Sequence, residues 1–422
     1  MLKSIYLHNF KSFAEAELPL EQLTLMIGSN ASGKSNALEA LWILSDLALG
    51  KNISEILDGT KKENNNIRGG ASGCPRVPFR SFELGCTYQV QEYKLEYRIA
   101  ISVDEGGAIE HECLKRISKD KSETLFESIG EKNNKEEGVA NFLSDRADDY
   151  VRSISYNPTA SILSQTCTRV PTDGRVLTNT IKDVTLLVGT LSKGFFLQPD
   201  ARQMRNYVRI SKNKLASNGQ NVSSVLFRIC ENEKYKVEIL RIISELPDNK
   251  IEDIDFITTK LNDVMLILKE SFYETEMDAR QLSDGTLRCL AILAAVYSEP
   301  EGSMIVVEEL DNGIHPSRIT KLLHAVQQIA AERHLMLVVT THNPAVMDAV
   351  DPDHMDGVVL CYRDKEDGAS TFARIVDLPD YLRLVAKGST GELAEQDAFV
   401  QSIYHPRERG KRSYTWLKED VL

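Results

Sequence analysis

Cysteine is sparse and unpatterned. The seven residues Cys74, Cys86, Cys113, Cys167, Cys230, Cys289 and Cys361 are scattered, odd in number and include no C-x-x-C pair. That argues against a disulfide framework and a zinc site, and fits reduced thiols in a cytoplasmic protein. Long apolar runs are also missing. The longest, Cys289 to Val296, is far too short to span a bilayer. Met1 to Phe13 alternate charged and apolar positions without the apolar centre of a signal peptide, so no targeting segment and no membrane partner are expected. Positive charge is in deficit, with Lys+Arg 50 against Asp+Glu 62 and a net charge of −12. A surface coated in phosphate-binding charge is thereby disfavoured, although net charge leaves room for a local basic groove. There is no heptad run that would make a long coiled-coil arm, and no internal repeat.

What is present is the composition of a globular protein, 42% hydrophobic and 27% charged over 422 residues. That supplies core for two domains, or for one large domain carrying an insertion. Leu2 to Leu7 and Leu23 to Ile27 read as strands, and Ala37, Leu38, Leu41, Trp42, Ile43 and Leu44 as one helix face. Lys61 to Asn66 reads as a solvated loop. From Phe82 to Val103 the period is two, which predicts a β-hairpin turning at Gln91 to Lys94, with Ile109–Ile117 and Leu125–Ile129 extending its sheet. Gly130 to Asp149, dense in charge and asparagine, reads as an exposed connection. Leu177, Ile181, Val184, Leu187 and Leu191 share a helical face, and Tyr235 to Leu246 suggests a second helix. From Leu282 onward helix and strand alternate, the pattern of a parallel α/β sheet.

Chemistry concentrates at four places. Gly28-Ser29-Asn30-Ala31-Ser32-Gly33-Lys34-Ser35 matches G-x-x-x-x-G-K-[ST] between a strand and a helix. Glycines let phosphate oxygens approach the backbone, and the loop amides and the following helix start favour anions. Lys34 is placed to reach β- and γ-phosphates, and the Ser35 hydroxyl to ligate Mg²⁺; Asn36 follows directly and is counted with the nucleotide-binding residues. Met304 to Val307 reads as a buried strand ending in Glu308-Glu309, carboxylates at the edge where open α/β sheets place ligands. Glu308 is the metal-side candidate and Glu309 the base that polarises an attacking water. Leu335 to Val339 ends in Thr340-Thr341-His342, where the histidine could sense a γ-phosphate. In Leu282 to Arg288, Ser283 reads as a helix N-cap, and Gly285 permits close approach of a ligand. A second anion site of this kind suggests a second nucleotide.

The order of these segments resembles ABC-type ATPases of the SMC, RecF and OLD branch, and most of all its compact AAA-labelled members from bacterial anti-phage and DNA-maintenance loci. Ile5-Tyr6-Leu7-His8-Asn9-Phe10-Lys11-Ser12-Phe13 resembles the opening strands of that branch. Asn218-Gly219-Gln220-Asn221-Val222 is similar to its G-x-N-L segment, and Glu308 to Pro316 to its EEPE-x-x-x-HP stretch. The resemblance implies an α/β ATPase head with an antiparallel β subdomain and a helical insertion. It implies a Walker A loop at Gly28–Ser35, Walker B Glu308, catalytic Glu309, signature residues Ser283 and Gly285, D-loop Asp311 and switch His342. Two heads would then sandwich two ATP molecules with Mg²⁺, each signature capping the other head's loop. The expected division is an N-terminal ATPase lobe at 1–70, the β subdomain at 71–150, a mainly helical insertion at 151–275 and a C-terminal ATPase lobe at 276–422. Gln89 and Gln165 are the two positions considered for the Q-loop.

Three functions follow from the resemblance. One is an ATP-state sensor or scaffold, dimeric or of higher order, controlling a separately encoded nuclease or toxin in a defence complex. Another is a RecF-like DNA-binding ATPase, for which Arg202, Arg205, Arg209, Lys212 and Lys214 offer a local basic scatter. The third, a transporter ATPase, is disfavoured by the Asn9–Phe13 opening and the long middle segment. Nuclease activity in this chain is not expected, because Asp351-Pro352-Asp353 is the sole D-x-D after His342.

Overall fold

The computed structural model describes residues 1–59, 67–104, 107–131, 138–143, 150–169, 178–210, 214–244, 251–270 and 276–404. The Lys61–Asn66 loop, Leu177 and Lys212 lie outside the described residues, as does most of 130–149. The chain opens with the hairpin β1 (Leu2–Phe10) and β2 (Phe13–Pro19), then β3 (Leu23–Ile27), α1 (Lys34–Ala48) and α2 (Ile53–Asp58). A meander follows: β4 (Ser81–Gln89), β5 (Lys94–Ser102), β6 (Ala108–Ile117), β7 (Ser122–Glu131), β8 (Gly138–Leu143) and β9 (Tyr150–Tyr156). Next come α3 (Ile162–Arg169), α4 (Thr178–Leu191), β10 (Gly194–Leu197), β11 (Val208–Arg209), α5 (Val222–Ile229), α6 (Glu233–Ser244), β12 (Ile251–Thr258), β13 (Asp263–Glu270) and β14 (Glu276–Asp278). The remainder is α7 (Asp284–Ser298), β15 (Met304–Val307), α8 (Pro316–Glu332), β16 (Met336–Thr340), α9 (Pro344–Asp348), β17 (Val358–Arg363), β18 (Ser370–Arg374), α10 (Tyr381–Val385), α11 (Thr390–Glu395) and α12 (Ala398–Tyr404).

Three sheets result. The central one has the order β10-β15-β16-β3-β17-β18, parallel except for β18 at its edge. Its strands are apolar on both faces, as a sheet covered on both sides requires. Period-two alternation sorts their side chains. Leu25, Ile27, Ile305, Val307, Leu337 and Val339 enter one core with α5 to α9, whereas Met26, Val306, Val338 and Val359 enter a second core with α1, α3 and α4. The second core also takes the inner face of an eight-stranded antiparallel sheet ordered β2-β1-β4-β5-β6-β7-β8-β9.

Three features depart from the sequence reading. The antiparallel sheet recruits β1 and β2 from the 1–70 segment, with Leu7 opposite Leu84. The sheet also continues through β8 inside the stretch read as an exposed connection, because Val139, Ala140 and Phe142 are buried there. The 151–275 segment carries α3 to α6 as expected, but also β10 to β14. Of these, β12 pairs along β13, while β11 and β14 share its other edge. Val264 to Leu268 form a continuous buried run, the signature of a strand covered on both sides. No helix among the described residues is long and apolar enough to cross a membrane.

Candidate functional site

Parallel strands bring their carboxyl ends to one edge, and the glycine-rich loop and the two acids arrive there together. β3 ends at Gly28, β15 at Glu308, β16 at Thr341-His342 and β10 at Gln198. A cleft of about 280 Å³ lies between them, lined by residues 30–36, Glu308, Glu309, Thr340, Arg68 and Arg363.

The loop is shaped for close approach. Gly28 has φ 144° and a Cβ there would lie 2.2 Å from the Cys361 carbonyl oxygen; Gly33 has φ 121° and a Cβ would meet Ser370 Oγ at 2.6 Å. Only glycine fits either position. Lys34 Nζ donates to the carbonyls of Gly28 (2.5 Å) and Ser29 (2.9 Å). Burial pushes the Lys34 pKa down, opposed by the negative potential of Cys361, Glu309, Glu308 and Asp311. Ser32 is 2% exposed and its hydroxyl has no partner, an unsatisfied donor in the wall of the cleft. A cradle of this shape, with a lysine and a free hydroxyl, suits a polyphosphate. Asn36 Nδ2 donates to Ser12 Oγ at 2.9 Å, and Arg68 donates to both Asn36 and Glu39, so the β1–β2 turn is tied to the start of α1.

The acids sit where a divalent cation would be held. The Ser35 hydroxyl donates to Glu308 Oε1, and Gln198 Nε2 donates to Glu308 Oε2 at 3.4 Å. The Ser35 hydroxyl and the Glu308 carboxylate beside a phosphate cradle are hard oxygen donors of the kind Mg²⁺ prefers. Glu309 adopts φ 49°, a left-handed conformation unusual for a non-glycine residue. Its amide donates to Thr340 Oγ1 (2.9 Å), and Asn312 Nδ2 donates to its carboxylate (3.3 Å). Asp311 is buried and accepts from the Thr341 hydroxyl at 2.7 Å. His342 is exposed and faces a separate cavity of about 800 Å³ on the far side of residues 28–32.

The Leu282–Arg288 segment stands apart from the cleft. Ser283 caps α7, accepting from the Thr286 amide. Gly285 is buried, and its close contact is the Gly313 carbonyl, 2.4 Å from where a Cβ would lie, so the glycine serves packing inside this chain. Neither residue lines the cleft around the phosphate loop.

Gln198 was not picked out by the sequence. Gln89 Nε2 instead donates to the Tyr93 carbonyl, and Gln165 Nε2 to the Asn157 carbonyl, both remote from Glu308. The available signal was Gly194-Phe195-Phe196-Leu197, a short apolar run ending in a polar residue, as Met304 to Val307 does. The Asn218–Val222 segment braces this loop. Gln198 N donates to the Ser217 carbonyl, Asp200 N to the Asn218 carbonyl, and Asn221 ties Lys214 to Ala216. Of the basic scatter, Arg205 is engaged with Asp284, while Arg202, Arg209 and Lys214 are exposed. Asp351 pairs with His324 at 3.4 Å.

The cysteine nearest the loop, Cys361, has its thiol pKa pushed up to about 11 by burial, which leaves it protonated and structural.

A family model described as "AAA domain, putative AbiEii toxin, Type IV TA system" matches residues 23–348. A protein of Helicobacter pylori (strain ATCC 700392 / 26695) named ATP/GTP phosphatase is 21% identical over 367 residues, covering 83% of this chain and 88% of that protein. The DNA replication and repair protein RecF of Gloeobacter violaceus is 49% identical over 45 residues, 10% of this chain and 12% of its own length. Among solved structures, an SMC head bound to the C-winged helix domain of ScpA superposes with a TM-score of 0.46 at 15% identity, over 88% of this chain and 96% of that one. The family match runs from β3, which feeds the glycine-rich loop, to α9 behind His342, and the chain belongs to this AAA-domain family.

Proposed function

We propose that the chain is the ATP-binding and ATP-hydrolysing sensor or scaffold subunit of a cytoplasmic bacterial anti-phage complex. Two copies close head-to-head around two ATP molecules and so control a separate nuclease or toxin. The observation that carries the two-copy reading is the position of Ser283 and Gly285, outside the cleft that Gly28–Ser35 forms with Glu308 and Glu309. The exposed start of α7 at Ser283 is open to an anion brought by a second copy. The family's description names a toxin–antitoxin system, which supports a role beside an effector function; that the effector is a separate chain is part of the proposal.

In this reading 1–70 and 276–422 supply the two lobes of the head, with 71–150 and 151–275 between them. Residues 28–36 cradle the phosphates, and Lys34 exchanges the Gly28 and Ser29 carbonyls for β- and γ-phosphate oxygens. Ser35 and Glu308 would hold Mg²⁺, which when bound neutralises phosphate charge. Glu309 accepts the proton of the attacking water, oriented through Thr340 and Asn312. His342 is assigned the γ-phosphate-sensing role although it lines the neighbouring cavity and not the cleft, and Asp311 fixes the turn after Glu309.

Removal of the base while keeping the side-chain shape tests this. Glu309→Gln should bind ATP, turn it over at least about 100-fold more slowly than wild type, and elute as a dimer with ATP and Mg²⁺ in size-exclusion chromatography with light scattering. Equal turnover, or a monomer under saturating ATP, overturns the reading. A second reading, a RecF-like DNA-binding ATPase, is favoured by the short RecF similarity alone.

A further inference from the structure

The start of α7 carries an acid where a phosphate is meant to dock. Asp284 directly follows the capping Ser283, and 63% of its side chain is exposed. An unneutralised carboxylate there would repel the γ-phosphate of a nucleotide presented by a second copy. Arg205 meets that problem. Its Nη2 donates to Asp284 Oδ1 at 2.6 Å and to the Leu282 carbonyl at 2.8 Å, and its Nη1 to the Ala201 carbonyl at 3.1 Å. One planar guanidinium therefore neutralises the acid on one side of Ser283 and holds the backbone carbonyl on the other, a bridging geometry that lysine cannot reproduce.

The other end of this contact leads to the metal side. Arg205 closes the short 3-10 turn Gln203–Arg205, and Asn218 Nδ2 donates to Gln203 Oε1 at 2.6 Å. Gln203 Nε2 donates to Asp200 Oδ2, and the Asp200 amide to the Asn218 carbonyl. Gln198, two residues earlier, reaches Glu308. Hydrogen bonds, joined by the short backbone steps 198–200 and 203–205, thus link the carboxylate beside Ser35 to the segment that starts α7.

We infer that Arg205 is a positioning residue for ATP turnover. It neutralises Asp284 and holds Leu282–Asp284 in the orientation that receives the γ-phosphate bound by the other copy. It also joins that surface to the Gln198 loop of its own copy. The inference rests on the two-copy reading above. It touches no nucleotide in its own chain, so affinity for ATP in that chain's cradle is independent of it.

The test measures turnover at saturating ATP over a range of chain concentrations, affinity for a fluorescent ATP analogue at low chain concentration, and thermal midpoint. Arg205→Ala should lower turnover at least about tenfold while affinity stays within about twofold, since misplacing a positioning group costs rate rather than ground-state binding. Arg205→Lys should recover part of the loss, by charge without the bridge. Arg205→Ala combined with Asp284→Asn should exceed Arg205→Ala alone, because the unpaired acid is gone. Turnover of Arg205→Ala within twofold of wild type overturns the assignment, as does loss of affinity in parallel with turnover. If Arg205→Ala does not fold, Arg205→Lys decides, and unchanged turnover in it is equally fatal. Wild-type activity per chain that does not rise with concentration removes the two-copy reading itself. A wild-type rise that Arg205→Ala matches removes only the role of Arg205.

Discussion

Glu309 shows how much of the site is decided by single residues. Its left-handed backbone costs roughly 1–2 kcal/mol in a non-glycine residue, and it is held by Thr340, whose hydroxyl accepts from the Glu309 amide and whose carbonyl accepts from the Leu310 amide. Strain held by a buried partner is a way to aim a side chain that must act from one position. Lys34 is the second case. Half-buried and bonded to two carbonyls of its own loop, it makes no other hydrogen bond among the described residues, and those bonds are released when phosphate oxygens replace them. Lys34→Ala should therefore leave the fold intact and remove nucleotide binding. Charge-assisted contacts worth roughly 1.5–3 kcal/mol translate into affinity for a fluorescent ATP analogue that is about 10- to 100-fold weaker. Retained affinity would show that the loop amides alone hold the phosphates. These residues were legible because residue type and spacing carry the chemistry: a lysine after a glycine, two acids after an apolar run, a histidine after the next. Gln198 was not, since one glutamine has no pattern of its own and the four-residue β10 that aims it is too short for periodicity to register.

At the scale of elements, the joint between the antiparallel sheet and α3 is made by one carboxylate. Glu112, from β6, is fully buried and accepts from the amides of Ile162 (2.7 Å) and Leu163 (2.8 Å) and from the Tyr97 hydroxyl (3.0 Å). Burial raises its pKa to about 7 despite these three donors, which favour the charged form. A carboxyl with a folded pKa above its unfolded value binds more protons in the native state. Its contribution is therefore fully present below about pH 4.5 and is lost as pH rises through 7. The shift corresponds to about 3 kcal/mol. Glu112→Gln removes the titration, so its stability relative to wild type should rise between pH 5 and pH 8, read from urea midpoints at both values. Parallel pH curves for the two proteins would assign the native-state proton to another group. Such a joint is invisible in the sequence, because Glu112 lies in a strand whose neighbours His111 and Glu110 are equally polar, and only the third dimension buries it. The strands were otherwise readable where one face is wet, as in β4 and β5, or where a buried run is bounded, as in β3 and β15. They were missed in β8, β12 and β14, where apolar residues are interleaved with acids or asparagines, and in β13, whose bounded run Val264–Leu268 lay inside a segment expected to be mainly helical.

At the scale of the whole molecule, charge decides between the two functional readings. The net charge is −12, and duplex DNA is bound chiefly through phosphate neutralisation by lysine and arginine. The scatter that might have offset this balance is reduced by the structure. Arg205 is consumed by Asp284 and by two backbone carbonyls, while exposed Arg209 lies on the two-residue β11. Sequence could count these cations but not show which were already spent, since Arg205 and Asp284 are far apart in the chain. ATP turnover measured with and without linear duplex DNA, with Glu309→Gln as the blank, should accordingly be the same within about twofold at 50 and 200 mM salt. A DNA-binding ATPase making six or more phosphate contacts would behave otherwise, losing roughly a thousandfold in affinity across that range. Stimulation by DNA that disappears at the higher salt, and that weakens further in Arg209→Glu, would put the nucleic acid directly on this chain and move the RecF-like reading first. Unchanged turnover leaves ATP closure of the two heads as the output, with the ligand to be sought among proteins that bind the closed form.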